Sequence, residues 1–199
     1  CKYAVAEYDI KRNTFHTIRD NDIQAITYGN TRLWACTRDS LFTYNRITDK
    51  LDYYYNLNGV RISCVTEDSD GNLYVGTMNN GLYMIDSNKK WLNYLPKKDI
   101  TCVYEDSKKS IWVGTKNDGL FRLDRNGGIT AYGSASHQNM LSSSYVRCIV
   151  EDNLGNYWIG TFKGLDKLDV TTGTFTHYSK DNKQYSLSNS SIICMMKDR

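Results

Sequence analysis

Short hydrophobic runs alternate along the chain with polar gaps rich in Asp, Asn, Gly and Ser, and the alternation repeats in phase. One run reads WACT at 34–37, YVGT at 74–77, WVGT at 112–115 and WIGT at 158–161. A second follows each after a polar gap: SLFTYN at 40–45, GLYMID at 81–86, GLFRLD at 119–124 and GLDKLD at 164–169. The marker residues Thr37, Thr77, Thr115 and Thr161 stand 40, 38 and 46 residues apart. Self-similarity at a period near 40, built from strands, is the signature of a β-propeller. The unit at 60–96 shows the pattern in full, with strands A at 62–67, B at 73–77, C at 81–86 and D at 91–95. Its turns hold the residues that favour local side-chain bonding and positive φ.

Further four-stranded antiparallel blades are expected at about 100–132 and 145–178, and a diverged one at 23–55. A half blade at 1–18 supplies only strands C and D, from 3–9 and 14–18. The stretch 191–197 matches strand A of the preceding unit and is expected as a lone strand. The whole chain, 1–199, therefore reads as a single all-β propeller segment and a fragment of a larger propeller. Hydrophobic residues on both faces of the strands fit blades packed against one another around an axis. Half-paired edges at both ends are an association liability, so self-association, a homodimer included, is expected of the segment on its own.

Charge narrows the partners. The formal net charge is +3, and lysine and arginine are scattered rather than gathered in a stripe, so no nucleic-acid groove is expected. No apolar stretch approaches the roughly 20 residues of a membrane span, and the segment contains no signal peptide. Cys64, Cys102, Cys148 and Cys194 recur at one repeat position on strand A, and Cys36 replaces the glycine of strand B. They are expected as buried free thiols, because equivalent positions on successive blades lie beyond disulfide reach. No C-x-x-C pair suggests zinc.

The acidic pairs Glu67/Asp68, Glu105/Asp106 and Glu151/Asp152 recur at strand ends, where a catalytic pair would occur once; they are expected to stabilise turns. Asp68-x-Asp70-Gly71 resembles the start of a calcium loop, but no later glutamate closes it. Asp86, Asp124 and Asp169 are expected to begin C–D turns. Trp34, Tyr74, Trp112 and Trp158 share one repeat position and should pack between blades. Trp91 and the run 53–55 lie on outer D strands, where a partner domain could cover them. His16, His137 and His177 occupy unrelated repeat positions, and only His137, in a long linker, is a ligand candidate. No P-loop, dinucleotide fingerprint or ordered Ser/His/Asp set is present, so neither a metal nor a cofactor is expected.

EDNLGNYWIGTFKGLDKLD at 151–169 and EDSDGNLYVGTMNNGLYMID at 67–86 resemble the two-component regulator propeller repeat. The linker residues SLSNSSI and MLSSSYV are similar to that family's lead-in to strand A, whereas the 23–55 copy departs from it by lacking Glu-Asp. The resemblance implies the periplasmic sensor region of a bacterial hybrid two-component histidine kinase. In that family seven-bladed propellers precede a β-sandwich domain, a membrane span and the kinase, and many sensors respond to an oligosaccharide. On this reading the partners are the remaining blades and the β-sandwich of the same protein.

Two other classes compete. A protein–protein scaffold of the WD type would carry Gly-His and Trp-Asp markers, which are missing. A propeller lyase or lactonase would gather unique acids and bases on one rim, and none is evident. The segment is therefore expected to be non-catalytic. In a propeller the B–C and D–A loops share one rim, and here they vary while the opposite turns repeat. The ligand-binding candidates are therefore Arg38, Asn79, Asn80, Lys116, Asn117, Asp118, His137 and Lys163, which offer amides and charged donors suited to sugars.

Overall fold

A computed structural model describes residues 5–9, 14–19, 23–29, 32–133, 140–180 and 186–197, and is all-β. It divides into two compact units, residues 1–94 and 95–199. The first unit contains the hairpin β1 (Val5–Asp9) and β2 (Thr14–Arg19). It also holds two sheets: β3 (Ala25–Tyr28), β4 (Leu33–Cys36), β5 (Ser40–Asn45) and β6 (Lys50–Asn56); then β7 (Ile62–Glu67), β8 (Leu73–Thr77), β9 (Leu82–Ile85) and β10 (Trp91–Tyr94). The second unit has β11 (Ile100–Glu105), β12 (Ile111–Thr115), β13 (Leu120–Leu123) and β14 (Ile129–Tyr132), followed by β15 (Val146–Glu151), β16 (Tyr157–Thr161), β17 (Leu165–Asp169) and β18 (Thr174–Tyr178). Strands in each sheet pair antiparallel with their sequence neighbours, the arrangement of a propeller blade.

Burial follows the repeat. In the first unit Trp34, Leu41, Ile62, Val65, Leu73 and Val75 form one core between its two sheets. In the second, Trp112, Leu120, Val146, Tyr157, Ile159 and Leu168 do the same. Trp112 lies 4.3 Å, centroid to centroid, from Tyr157 of the next blade. Trp91, Tyr54 and Tyr55 are half-buried by contacts inside the unit: Tyr55 meets Trp91 at 4.5 Å and Tyr54 meets Trp34 edge-on at 4.8 Å. Of that outer run only Tyr53 stays exposed.

The recurring residues have separate physical roles. The aspartate that follows each A strand organises the A–B turn. Asp68 accepts from the amides of Asp70 and Asn72, Asp106 from those of Lys108 and Ser110, and Asp152 from those of Leu154 and Asn156. Asp106 and Asp152 also accept the indole N–H of Trp112 (2.8 Å) and Trp158 (3.0 Å). The preceding glutamate can reach the neighbouring blade, as when Glu151 accepts from the Ser107 amide and hydroxyl at 2.7 Å. The turn needs a left-handed residue, supplied by Gly71 and Gly155 (φ 85° and 79°) and, at some conformational cost, by Lys109 at 62°. Asp86, Asp124 and Asp169 cap the C–D turns by the same side-chain bonding.

Asp152 provides a pH test of this role. Burial pushes its carboxyl up, but the donors from Asn156, Trp158 and Leu154 outweigh that and hold it at about 2, against an ordinary value of 3.8. A depressed carboxylate adds stability that is complete above its unfolded value and is lost as the pH falls through its folded one. Urea midpoints should therefore drop between about pH 4 and pH 2, and Asp152→Asn should make that drop shallower. An unchanged acid limb in the variant would count against the assignment.

Cysteine behaves as a small apolar residue wherever another strand covers it. Burial pushes the thiols of Cys36 and Cys148 up to about 11 and that of Cys64 to about 12, so they stay protonated at neutral pH. Cys194 departs from the expectation and is exposed. The stretch 191–197 also departs from it and is not a strand. Its described backbone bond to the preceding blade runs from the Ile192 amide to the Thr161 carbonyl (3.0 Å), and a ladder needs a series of such bonds. Without a covering strand B, the thiol at this repeat position stays in contact with solvent.

Candidate functional site

In three of the repeats the marker threonine is a loop clamp. Thr77, Thr115 and Thr161 are fully buried, and their hydroxyls donate to the carbonyls of Gly81 (2.6 Å), Gly119 (2.8 Å) and Gly164 (2.9 Å). Each hydroxyl closes the short B–C loop and turns its tip into solvent. Asn79, Asn80, Lys116, Asn117, Asp118 and Lys163 lie on these tips and Arg38 on the B–C loop of the first complete blade, and all are exposed. Arg38, Asn79 and Asn80 belong to the first unit and the other four to the second. Asp118 is paired with Lys98 at 2.7 Å, and Asn93 donates to the carbonyl of Asn80. His137 lies outside the described residues.

A second device repeats at this end of the blades. Strand A carries a β-bulge between Ile62 and Cys64, between Ile100 and Cys102, and between Val146 and Cys148. The extra residues, Ser63, Thr101 and Arg147, fall out of the ladder, and their side chains are re-aimed. Thr101 turns to the next blade and donates to the Val146 carbonyl at 2.6 Å.

The blade built from β15 to β18 departs from the pattern in several places that converge. Where Tyr83 and Phe121 stand in other blades, it has Asp166 with no exposed surface. A buried carboxylate needs donors, and Asp166 has three: the Ser142 amide at 2.7 Å, the Ser142 hydroxyl at 3.0 Å, and His177 Nδ1 at 2.8 Å on the other oxygen. The Ser142 hydroxyl also lies 2.9 Å from that of Thr161. With the buried Leu141 and a bond from the Gly119 amide to the Ser144 carbonyl, these contacts fix the end of the D–A linker. The ordered linker places Tyr145, whose carbonyl accepts from the Phe162 amide at 3.0 Å. The rings of Tyr145 and Phe162 lie nearly parallel, 6.1 Å apart with an 11° interplanar angle. The bulged Arg147 sits over both, its guanidinium carbon 4.9 Å from the Tyr145 centroid and 5.4 Å from that of Phe162. Lys163 follows on the same loop.

The contacts of Ser142, Asp166 and His177 do not set up an activated nucleophile. Ser142 Oγ bonds the carboxylate and Thr161, while His177 takes the opposite carboxylate oxygen, so the imidazole does not activate the serine. Among the described residues no three His, Cys, Asp or Glu side chains gather as a metal site. Selecting polar loop residues from the sequence picked out Lys163 and passed over Phe162, Tyr145 and Arg147. The available signal was aromatic: the positions of Phe162 and Tyr145 are occupied by Met78 and Arg61, and by Lys116 and Asp99, in the two preceding blades.

The geometry of these repeats has a counterpart among known proteins. Residues 56–79, 94–117 and 140–163 match the two component regulator propeller model. The chain carries two component regulator propeller repeats. Over 98% of its length it is similar to the extracellular domain of a hybrid two component system of B. thetaiotaomicron, with 27% identity and a TM-score of 0.75. It covers 26% of that domain. Virginiamycin B lyase of Staphylococcus aureus shares the fold, with a TM-score of 0.71 at 13% identity over 88% of this chain and 62% of the lyase. No curated protein matches the chain. The repeats thus span less than two thirds of the length of either solved relative. Among the described residues no helix is long and apolar enough to cross a membrane.

Proposed function

We propose that the chain is a non-catalytic, periplasmic ligand-recognition segment of a hybrid two-component sensor, and that its ligand is an oligosaccharide. The observation that carries this reading is the 98% coverage by an extracellular two component domain at 27% identity. The site geometry supports it. In the second unit the amide of Asn117, the cations Lys116 and Lys163 and the Tyr145–Phe162 pair stand on loops held by buried Thr115, Thr161 and Asp166. Sugars bind such surfaces through planar donors and through ring faces that take their C–H groups. The rest of the sensor would supply further blades and the β-sandwich domain.

Thermal-shift and calorimetric screens of defined oligosaccharides test the reading. The expected result is a saturable rise in melting temperature with at least one saccharide, with no turnover detected. A ligand at 100 times its Kd adds about 2.7 kcal/mol of apparent stability, well within detection. Turnover of a saccharide or lactone that disappears on changing one loop residue would overturn the non-catalytic assignment.

A further inference from the structure

Among the described residues Arg147 is a half-buried cation without a counter-charge. Its Nε is buried with no hydrogen-bond partner, and no carboxylate meets its guanidinium among the described residues. The aromatic rings stabilise the cation through their faces but accept no in-plane N–H bond. A guanidinium held against rings keeps N–H donors matched to a planar or tetrahedral anion. The bulge that delivers Arg147 to this end of the blade delivers neutral Ser63 and Thr101 at the equivalent positions. Charge at the bulge, aromatic residues on both flanking loops and a buried carboxylate fixing one of those loops thus coincide in one blade. Phe162 is 52% exposed, so it retains surface for a ligand beside the guanidinium. Lys163 adds a second positive charge on the same loop.

We propose that Tyr145, Arg147, Phe162 and Lys163 form a subsite for an acidic sugar unit, in which Arg147 binds the carboxylate or sulfate group and Phe162 takes the apolar face of the ring. This rests on reading the chain as an oligosaccharide sensor and specifies what that sensor selects. The bond is charge-assisted and partly desolvated, so it discriminates against a neutral sugar of the same shape.

Calorimetry on the full chain tests the proposal with three probes: trigalacturonate, a sulfated disaccharide, and a neutral galactotriose. The expected result is binding of at least one acidic probe in preference to the neutral one. The two acidic arms separate carboxylate from sulfate recognition. Arg147→Gln should weaken acidic binding at least about tenfold, and weaken it more than any neutral binding. Should that variant fold poorly by circular dichroism, the salt dependence of the native chain decides, since a charge-assisted contact must weaken between about 50 and 300 mM salt. Salt-independent acidic binding, or a folded Arg147→Gln that binds acidic probes as tightly as the native chain, overturns the subsite. Binding of the neutral sugar alone also overturns it while the sensor reading stands. Failure of the whole oligosaccharide screen overturns both.

Discussion

Asp106→Ala is expected to destabilise the chain by on the order of 4 kcal/mol, a large share of the stability of a marginally stable fold. Asp106 is almost fully buried. One carboxylate oxygen accepts the amides of Lys108 and Ser110, and the other accepts the indole N–H of Trp112 and the hydroxyl of Tyr157, both at 2.8 Å. Tyr157 belongs to the following blade, so the residue joins a turn to an inter-blade contact. Burial and the bond to Asp106 together push the Tyr157 hydroxyl well above its ordinary value, keeping it a donor at any physiological pH. Alanine leaves these donors without an acceptor, and each unsatisfied buried group costs roughly 1–3 kcal/mol. Asn is expected to fall between, restoring the turn while setting an NH2 group against the indole and phenol donors. Urea denaturation of the three proteins measures the order, and Ala and Asn variants of native-like stability would refute it.

The first complete blade provides an internal comparison. Gly29 lies where an aspartate begins the A–B turn in later blades, and the indole Nε1 of Trp34 is buried with no hydrogen-bond partner. The glycine has its own cause, because a Cβ there would run into the carboxylate of Glu67 from the next blade. Losing the orphan N–H partly offsets lost packing, so Trp34→Phe should cost less than about 1 kcal/mol. Trp112→Phe leaves a carboxylate short of a donor and should cost about 2–3 kcal/mol.

The contrast between these blades indicates what the sequence made legible. Strand positions, the Asp turns and the inward tryptophans recur in phase because each blade repeats the same local solution of alternation, turn chemistry and burial. Glu-Asp at strand ends was read as turn chemistry, and the Asx bonds of Asp68, Asp106 and Asp152 are that chemistry. Features that depend on a partner strand were hidden. The bulge beside Ile62, Ile100 and Val146 is a property of pairing, so nothing in the A strands announces that Ser63, Thr101 and Arg147 leave the ladder. The stretch 191–197 has the composition of a strand A, but a strand exists only with a ladder partner. Asp166 stands within GLDKLD, and its role depends on Ser142 and His177, one 24 residues before it and the other 11 after. His177 shares no repeat position with the other histidines, yet it is the cross-strand neighbour of that carboxylate.

The second large effect concerns Gly114, one of the glycines of the repeated Gly-Thr. A Cβ at Gly114 would lie 2.5 Å from Cys102 Sγ and 2.8 Å from Val146 Cγ1, so strand A of its own blade and strand A of the next both crowd it. Gly114→Ala should therefore cost about 2–3 kcal/mol by overpacking, despite adding a single methyl group. The glycine has this role because its register partner is a cysteine, as Cys64 faces Gly76, Cys102 faces Gly114 and Cys148 faces Gly160. In the first complete blade the bulk is exchanged: Cys36 occupies the glycine position and Ala25 stands opposite. Each pair thus keeps one cysteine and one smaller residue across the two strands while the strand that carries the cysteine changes, which a column-by-column reading of the repeats would miss. A double-mutant cycle with Cys102→Ala follows directly. Removing the sulfur should recover about half of the cost of Gly114→Ala, with a coupling energy of about 1 kcal/mol, and Val146 should account for the remainder. Strictly additive single effects would show that Gly114 is required by the backbone rather than by the thiol it faces.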